Sequence, residues 1–192
     1  PELRERAVRM VLEHQGEHYD IPNTVAQAVE AAAELGVSLL TLHAGGGSAM
    51  MRAARQATGT TGPKLLGVTL LTSFSASDVE TVWGKELRSL RDDVDRLAAL
   101  AAEAELDGVV ASALEAEALK RRHGSDFLVV TPGIRPTGHV AGDQARTATP
   151  AEAVRAGADF LVVGRPILQA ADPLEVVQRV EAEIRGAKED GP

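Results

Sequence analysis

The chain has 192 residues, 44% of them apolar and only 3% aromatic, which suits one domain over residues 1–192 with an aliphatic core of Leu, Val and Ala. A net charge of −8 argues against a general nucleic-acid surface, which needs stripes of Lys and Arg, and the lack of any cysteine excludes disulfides, thiolate metal sites and a Cys nucleophile. No apolar run approaches the ~18–20 residues of a membrane span, and Pro1-Glu2-Leu3-Arg4 is charged rather than signal-like, so the expectation is a cytoplasmic protein with neither nucleic acid nor membrane as partner.

Along the chain, Leu3, Ala7, Met10 and Val11 share one face of a predicted N-terminal helix over 3–12. Asp20-Ile21-Pro22-Asn23 then reads as a helix start, with an Asp cap and Pro in the first turn. That helix passes through Val25, Ala28, Val29 and Ala32 and stops at Gly36. A compact apolar strand, Leu39 to Ala44, runs into Gly45-Gly46-Gly47, and a helix follows over roughly 48–57. The alternation continues with a strand from Leu65 to Thr72, a long helix over about 86–104 and a strand Asp107–Ala111. Then come a helix over about 115–122, a strand Phe127–Val130, a helix from Thr149-Pro150 to Gly157 and a strand Phe160–Val163. Pro173 opens the last helix, and the tail after Gly186 is expected to fray.

Each of the five strands is a near-continuous apolar run, as expected of strands buried on both faces of a parallel sheet. Right-handed crossovers place the helices on the outside. Eight such units close a barrel of about 250 residues. Five strands and an N-terminal helix therefore point to an α/β fold of the incomplete, open TIM-type (β/α) barrel kind; the alternative is an open doubly wound sheet.

Three features follow strands or open helices, where parallel β/α folds bind ligands. Thr131-Pro132-Gly133-Ile134-Arg135-Pro136 continues into a polar loop with Gly138 and Gly142-Asp143-Gln144, and its glycines let backbone approach a ligand. Gly164-Arg165-Pro166-Ile167 follows the last strand, and Arg165 is a forked, permanently charged donor suited to phosphate oxygens. Taken alone, Gly164-Arg165 is as well explained by a turn with a solvated arginine; the glycine-rich loop after the preceding strand favours the phosphate. Asp20-Ile21-Pro22-Asn23-Thr24 offers a carboxylate and a hydroxyl, and on its own chemistry is simply a cap.

The segments Asp20-Ile21-Pro22-Asn23-Thr24-Val25, Leu42-His43-Ala44, Gly67-Val68-Thr69-Leu70-Leu71-Thr72-Ser73, Asp107-Gly108-Val109-Val110, Val130 to Pro136, Gly142-Asp143-Gln144-Ala145-Arg146 and Val163-Gly164-Arg165-Pro166-Ile167 occur in one order and spacing. In that order and spacing the chain resembles the orotidine 5'-phosphate decarboxylase family over about residues 20–180. The resemblance implies a (β/α) barrel, usually a homodimer, that turns orotidine 5'-phosphate into UMP in pyrimidine synthesis without a cofactor or metal. By position it implies a phosphate grip of Gln144, Gly164 and Arg165. It puts Thr72 and Ser73 in the segment that meets the pyrimidine, and Pro132 and Gly133 along the base pocket. Ile21 and Thr24, with Asp20, correspond to the pair that reaches the partner subunit's ligand.

The family's signature is Asp-x-Lys-x-x-Asp, and of its three charged residues only the last is present, as Asp20. Gln15 stands at the first Asp position and Glu17 at the Lys position. In the family that Lys delivers a proton to the carbon that loses CO2. A glutamate there reverses the charge beside an anionic substrate, and like charges about 4 Å apart at an effective ε of about 20 cost roughly 4 kcal/mol. The stretch Leu12 to Tyr19 is too polar for a buried strand, and no segment matches the family strands that supply the other Asp and Lys of the charge network. The other lysines are Lys64, Lys85, Lys120 and Lys188; Lys64 precedes its strand, and Lys85, after Ser73, is the one that could swing in as a lid residue. Since loss of coupled catalytic groups collapses a rate rather than trimming it, the expectation is a catalytically silent chain that at most binds a phosphorylated nucleotide; the alternative is a working decarboxylase of shortened architecture. Another phosphosugar enzyme of the same barrel type is disfavoured by the same missing Lys. His14, His18 and His43 show no metal-ligand spacing. A five-stranded fragment leaves two strand edges and an apolar face, which predicts self-association as a homodimer or higher oligomer.

Overall fold

In the computed structural model, residues 21–59, 61–84, 86, 89–138 and 145–189 are described. The expected helix over 3–12 lies outside them, as do Gln15, Glu17, Asp20, Lys85 and Gln144.

The strands are β1 (Leu39–His43), β2 (Lys64–Val68), β3 (Gly108–Val110), β4 (Leu128–Thr131) and β5 (Phe160–Leu161). They form one sheet in the order β1-β2-β3-β4-β5, every neighbouring pair parallel. The helices are α1 (Ile21–Glu34), α2 (Ser48–Ala57), α3 (Ala76–Trp83), α4 (Leu90–Glu103), α5 (Ala113–His123), α6 (Pro150–Arg155), α7 (Arg165–Leu168) and α8 (Pro173–Glu189). Sequential strand order with a helix in every connection is the arrangement of a (β/α) barrel. Among the described residues β1 and β5 each pair on one side only.

The two faces of the sheet differ. Leu65, Val109 and Val129 point toward the helices and pack with Met51, Val94, Ala98, Ala101 and Leu119, all buried. Close approach demands small residues here: a Cβ on Gly67 would meet the Ala101 side chain at 3.1 Å. At Gly108 a Cβ would lie 2.1 Å from the Leu128 carbonyl oxygen, so no other residue fits without moving backbone. By register, Thr41, Leu66, Gly108 and Leu128 form one row of the opposite face, and His43, Val68, Val110, Val130 and Phe160 the next. That face is closed at its centre, where Leu66 and Val130 are buried, and open at the margins, where His43 and Phe160 are exposed.

A repeated device begins the strands. The Asp107 carboxylate, just before β3, accepts the Leu65 N–H of β2 at 2.8 Å and an Arg55 guanidinium N–H at 3.0 Å. Two units later the Asp159 carboxylate, just before β5, accepts the Val129 N–H of β4 at 2.7 Å and pairs with Lys120 Nζ at 2.7 Å. In both, the aspartate's own N–H returns to the same residue's carbonyl, Asp107 to Leu65 and Asp159 to Val129, each at 2.9 Å.

Several boundaries differ from expectation. The strand expected over Leu65–Thr72 ends at Val68, because the chain turns at Leu70 to Ser73 to enter a helix. The single helix expected over about 86–104 is preceded by α3, which Ser75 and Asp78 open with a reciprocal capping box and which Gly84 closes in a left-handed conformation (φ 62°). The four residues Arg165–Leu168, expected as loop, form α7. Helix α8 continues through Gly186 to Glu189 instead of fraying, held by the burial of Ala187 beyond the glycine. Among the described residues no helix is long and apolar enough to cross a membrane.

Candidate functional site

The carboxyl ends of β4 and β5 are adjacent. The Val162 N–H donates to the Thr131 carbonyl at 2.9 Å, and Thr131 is in register with Leu161. Each strand then leaves the sheet through a glycine two or three residues on. Gly133 is buried at φ 76°, a left-handed conformation glycine adopts without strain. Gly164 is exposed, and a Cβ there would meet nothing within 4 Å among the described residues. Pro132 is half-buried and Arg165 exposed. The two loops expected to carry phosphate and base contacts are thus brought side by side.

The loop after β4 is braced. The Arg135 N–H donates to the Ala148 carbonyl at 2.9 Å, and the Ala148 N–H to the Gly133 carbonyl at 3.4 Å, a short bridge across the loop's base. Beneath it Ile134 packs, fully buried, with Ala113 and Ala153. Thr149 caps α6, accepting the Glu152 N–H while Glu152 accepts the Thr149 N–H. On the far side the Thr137 N–H donates to Glu183 of α8 at 3.0 Å.

The turn after β2 joins this assembly. Thr72 is buried and Ser73 half-buried. The Thr72 carbonyl accepts the Arg146 N–H at 3.1 Å, and the Arg146 guanidinium donates to the carbonyls of Leu70 at 3.2 Å and Leu71 at 3.4 Å. The same guanidinium pairs with Glu115 at 2.7 Å, and both side chains are under 10% exposed. Burial pushes the Glu115 carboxyl above its ordinary range, while the Arg146 charge and hydrogen bond draw it back down. Ser112, capping α5 by accepting the Leu114 N–H, sets the turn that carries Glu115. Sequence reasoning gave this pair no role. Arg146 stood inside a recognised segment, but nothing local marks a partner 31 residues earlier on a helix.

Ile21 and Thr24, both exposed, lie in the first turn of α1. Helix α1 packs against α2, which follows β1, whereas the loops of Gly133 and Gly164 follow β4 and β5. His43, at the end of β1, is exposed on the face away from the helices. Among the described residues no three His, Asp or Glu side chains group as a metal site would require.

Comparison with known proteins decides the lineage. A profile of the family described as Orotidine 5'-phosphate decarboxylase / HUMPS matches residues 18–180. The chain belongs to this family. It is 50% identical over 189 residues to an orotidine 5'-phosphate decarboxylase of Trichlorobacter lovleyi, covering 93% of this chain and 78% of the relative. A decarboxylase of the same name from Vibrio cholerae is 47% identical, with 95% and 79% covered. The crystal structure of orotidine 5'-phosphate decarboxylase from Lactobacillus acidophilus superimposes with a TM-score of 0.72 at 38% identity, over 88% of this chain and 72% of that one. The five parallel strands thus correspond to part of a TIM-type barrel, as the sequence led us to expect.

Proposed function

We propose that this chain holds the 5'-phosphate and base of a pyrimidine nucleotide between the loops after β2, β4 and β5, and that it does not decarboxylate orotidine 5'-phosphate. The observation that carries the binding half is the pairing of β4 with β5, which sets Pro132-Gly133 beside Gly164-Arg165. Gly164 is exposed and admits a ligand close to backbone, and the exposed Arg165 beside it supplies a fixed positive charge. In this reading Gln144, Gly164 and Arg165 grip phosphate, Thr72 and Ser73 meet the pyrimidine, Pro132 and Gly133 line the base, and Asp20, Ile21 and Thr24 face a neighbouring subunit's ligand. The chemistry half rests on the count back from Asp20, which puts Glu17 and Gln15 at the positions of the family's proton-donating Lys and its Asp partner. Glutamate is a base where the reaction needs an acid, and its charge opposes a substrate carboxylate. We further propose a homodimer or higher oligomer, because among the described residues β1 and β5 each pair on one side only, and a cytoplasmic location.

A working decarboxylase of pyrimidine biosynthesis is the second reading, favoured by the 50% identity to a protein of that name. Turnover of orotidine 5'-phosphate, followed by the absorbance change on CO2 loss, separates the two. No turnover with measurable UMP binding by calorimetry, weakened in Arg165→Ala, is the expected result. Turnover abolished by Arg165→Ala would overturn the silent reading, and no UMP binding would overturn the pocket itself. Light scattering at micromolar concentration tests the oligomer, and a monomer would sink it.

A further inference from the structure

The Glu115–Arg146 pair is an expensive way to stabilise a fold. Both groups are buried, and among the described residues Glu115 Oε2 and Arg146 Nε have no hydrogen-bond partner. Buried ion pairs of this kind are often no better for stability than well-packed apolar residues. What an apolar pair would not reproduce is the set of bonds around the guanidinium. Besides Glu115, it reaches the carbonyls of Leu70 and Leu71, while the Arg146 backbone holds the Thr72 carbonyl. Three consecutive carbonyls of the turn after β2 are therefore fixed by one residue that belongs to the segment after β4. Glu115, on the first turn of α5, fixes that residue in turn. In the same stretch the Thr69 N–H and hydroxyl go to the Val110 carbonyl, and the Phe74 N–H to the Leu71 carbonyl.

We propose that Glu115 and Arg146 are positioning residues that lock the Leu70–Ser73 turn against the loop after β4, so that the pocket prefers a pyrimidine nucleotide over the same ribose phosphate without a base. The inference rests on the nucleotide reading above, in which Thr72 and Ser73 meet the base while Gly164 and Arg165 meet the phosphate. Two parts of one ligand are bound by loops from different strands, and their separation must be held within a fraction of an ångström for both to engage at once. The buried pair is the physical link between those loops.

The test replaces the pair by an apolar one of similar length, Glu115→Met with Arg146→Met, which removes the guanidinium's ties to the Leu70 and Leu71 carbonyls, keeps the backbone bond to Thr72 and leaves no lone buried charge. Two measurements are made on the full chain. Amide hydrogen exchange of the peptide spanning 70–75 needs no ligand, and it is expected to quicken by about tenfold or more while β2, β3 and β4 keep their protection. Calorimetric affinities for UMP and for ribose 5-phosphate are compared, and the preference for UMP is expected to fall by about tenfold with ribose 5-phosphate affinity little changed. A merely structural pair would weaken both ligands alike, or neither. Unchanged exchange over 70–75 in a folded double variant would overturn the lock. Quickened exchange with the UMP preference intact would overturn its role in specificity. If the unaltered chain binds neither ligand, the nucleotide reading falls and the role in specificity with it, and the exchange experiment still decides the lock.

Discussion

At the amino ends of the strands one solution is used twice. Asp107 and Asp159 precede alternate strands, take the N–H of the second residue of the preceding strand and pair with a cation from a helix, Arg55 in one case and Lys120 in the other. At the carboxyl ends the described parts of the loops after β2, β4 and β5 differ from one another. One turns through Leu70–Ser73 into a capped helix, one crosses its own base through Ala148, and one leaves by Gly164 into the short α7. Repetition at one end and variety at the other is what a fold does when stability and ligand chemistry are assigned to opposite rims. Substitutions at the amino rim should then change stability and leave binding alone, and those at the carboxyl rim the reverse. The buried Glu115–Arg146 pair crosses that division, because it lies at the carboxyl rim and is also deep in the fold.

The largest effect therefore belongs to a single Arg146→Met substitution, which leaves the Glu115 carboxylate buried and uncompensated. We expect a loss of about 3–5 kcal/mol in urea unfolding at neutral pH. The loss should shrink at low pH, because burial already favours the protonated carboxyl. A loss that does not change with pH would mean that packing, not charge, sets the cost.

Arg165→Ala should do the opposite. Arg165 is exposed, so its removal should leave the melting temperature within error. It should weaken UMP by about 10- to 100-fold, the worth of charge-assisted bonds to phosphate at about 1.5–3 kcal/mol. An equal weakening of uridine, which has no phosphate, would show that the residue acts through the loop and not through the anion.

Asp159→Asn is the amino-rim counterpart. The amide keeps an acceptor for the Val129 N–H and loses the ion pair to Lys120, whose side chain is 17% exposed. For a pair so partly shielded we expect a loss of about 1 kcal/mol, with UMP affinity unchanged. A change in affinity would erase the distinction between the rims.

What could be read in the sequence follows the same division. The strands were legible because apolar runs such as Leu39–Leu42 and Leu128–Val130 need only local pattern to be recognised. The loops of Gly133 and Gly164-Arg165 were legible as types, from residues whose backbone or charge has few other uses. Helix α3 was missed although Ser75 and Asp78 spell its cap, because the apolar run of β2 continues through Leu70 and Leu71 and reads as strand. The turn that ends it is imposed from 75 residues away, by Arg146 on the Leu71 carbonyl. No window along the chain contains that information. Glu183 holding Thr137, 46 residues apart, is a second instance.

The smallest effect sits at the cap of α6, which follows the loop after β4. The Thr149 N–H and hydroxyl both bond to the Glu152 carboxylate, at 2.8 and 3.0 Å, and hold its pKa below the ordinary carboxylate value of 4.5. The folded chain thus releases this proton more readily than the unfolded one. Its contribution is fully present above about pH 4.5 and is lost as the pH falls through the lowered folded-state value. Glu152→Gln removes that contribution, so the variant should melt below the unaltered chain at pH 7, with the gap closing as the pH falls below about 4.5. Thr149→Ala breaks the other half of the box and should cost about 1 kcal/mol at neutral pH. Because the Ala148 N–H ties this cap to the Gly133 carbonyl, the two variants also test how far the carboxyl rim is independent of its support. If the cap serves α6 alone, UMP affinity stays constant in both. If it falls in step with the melting temperature, the loop after β4 draws its shape from the helix that follows it.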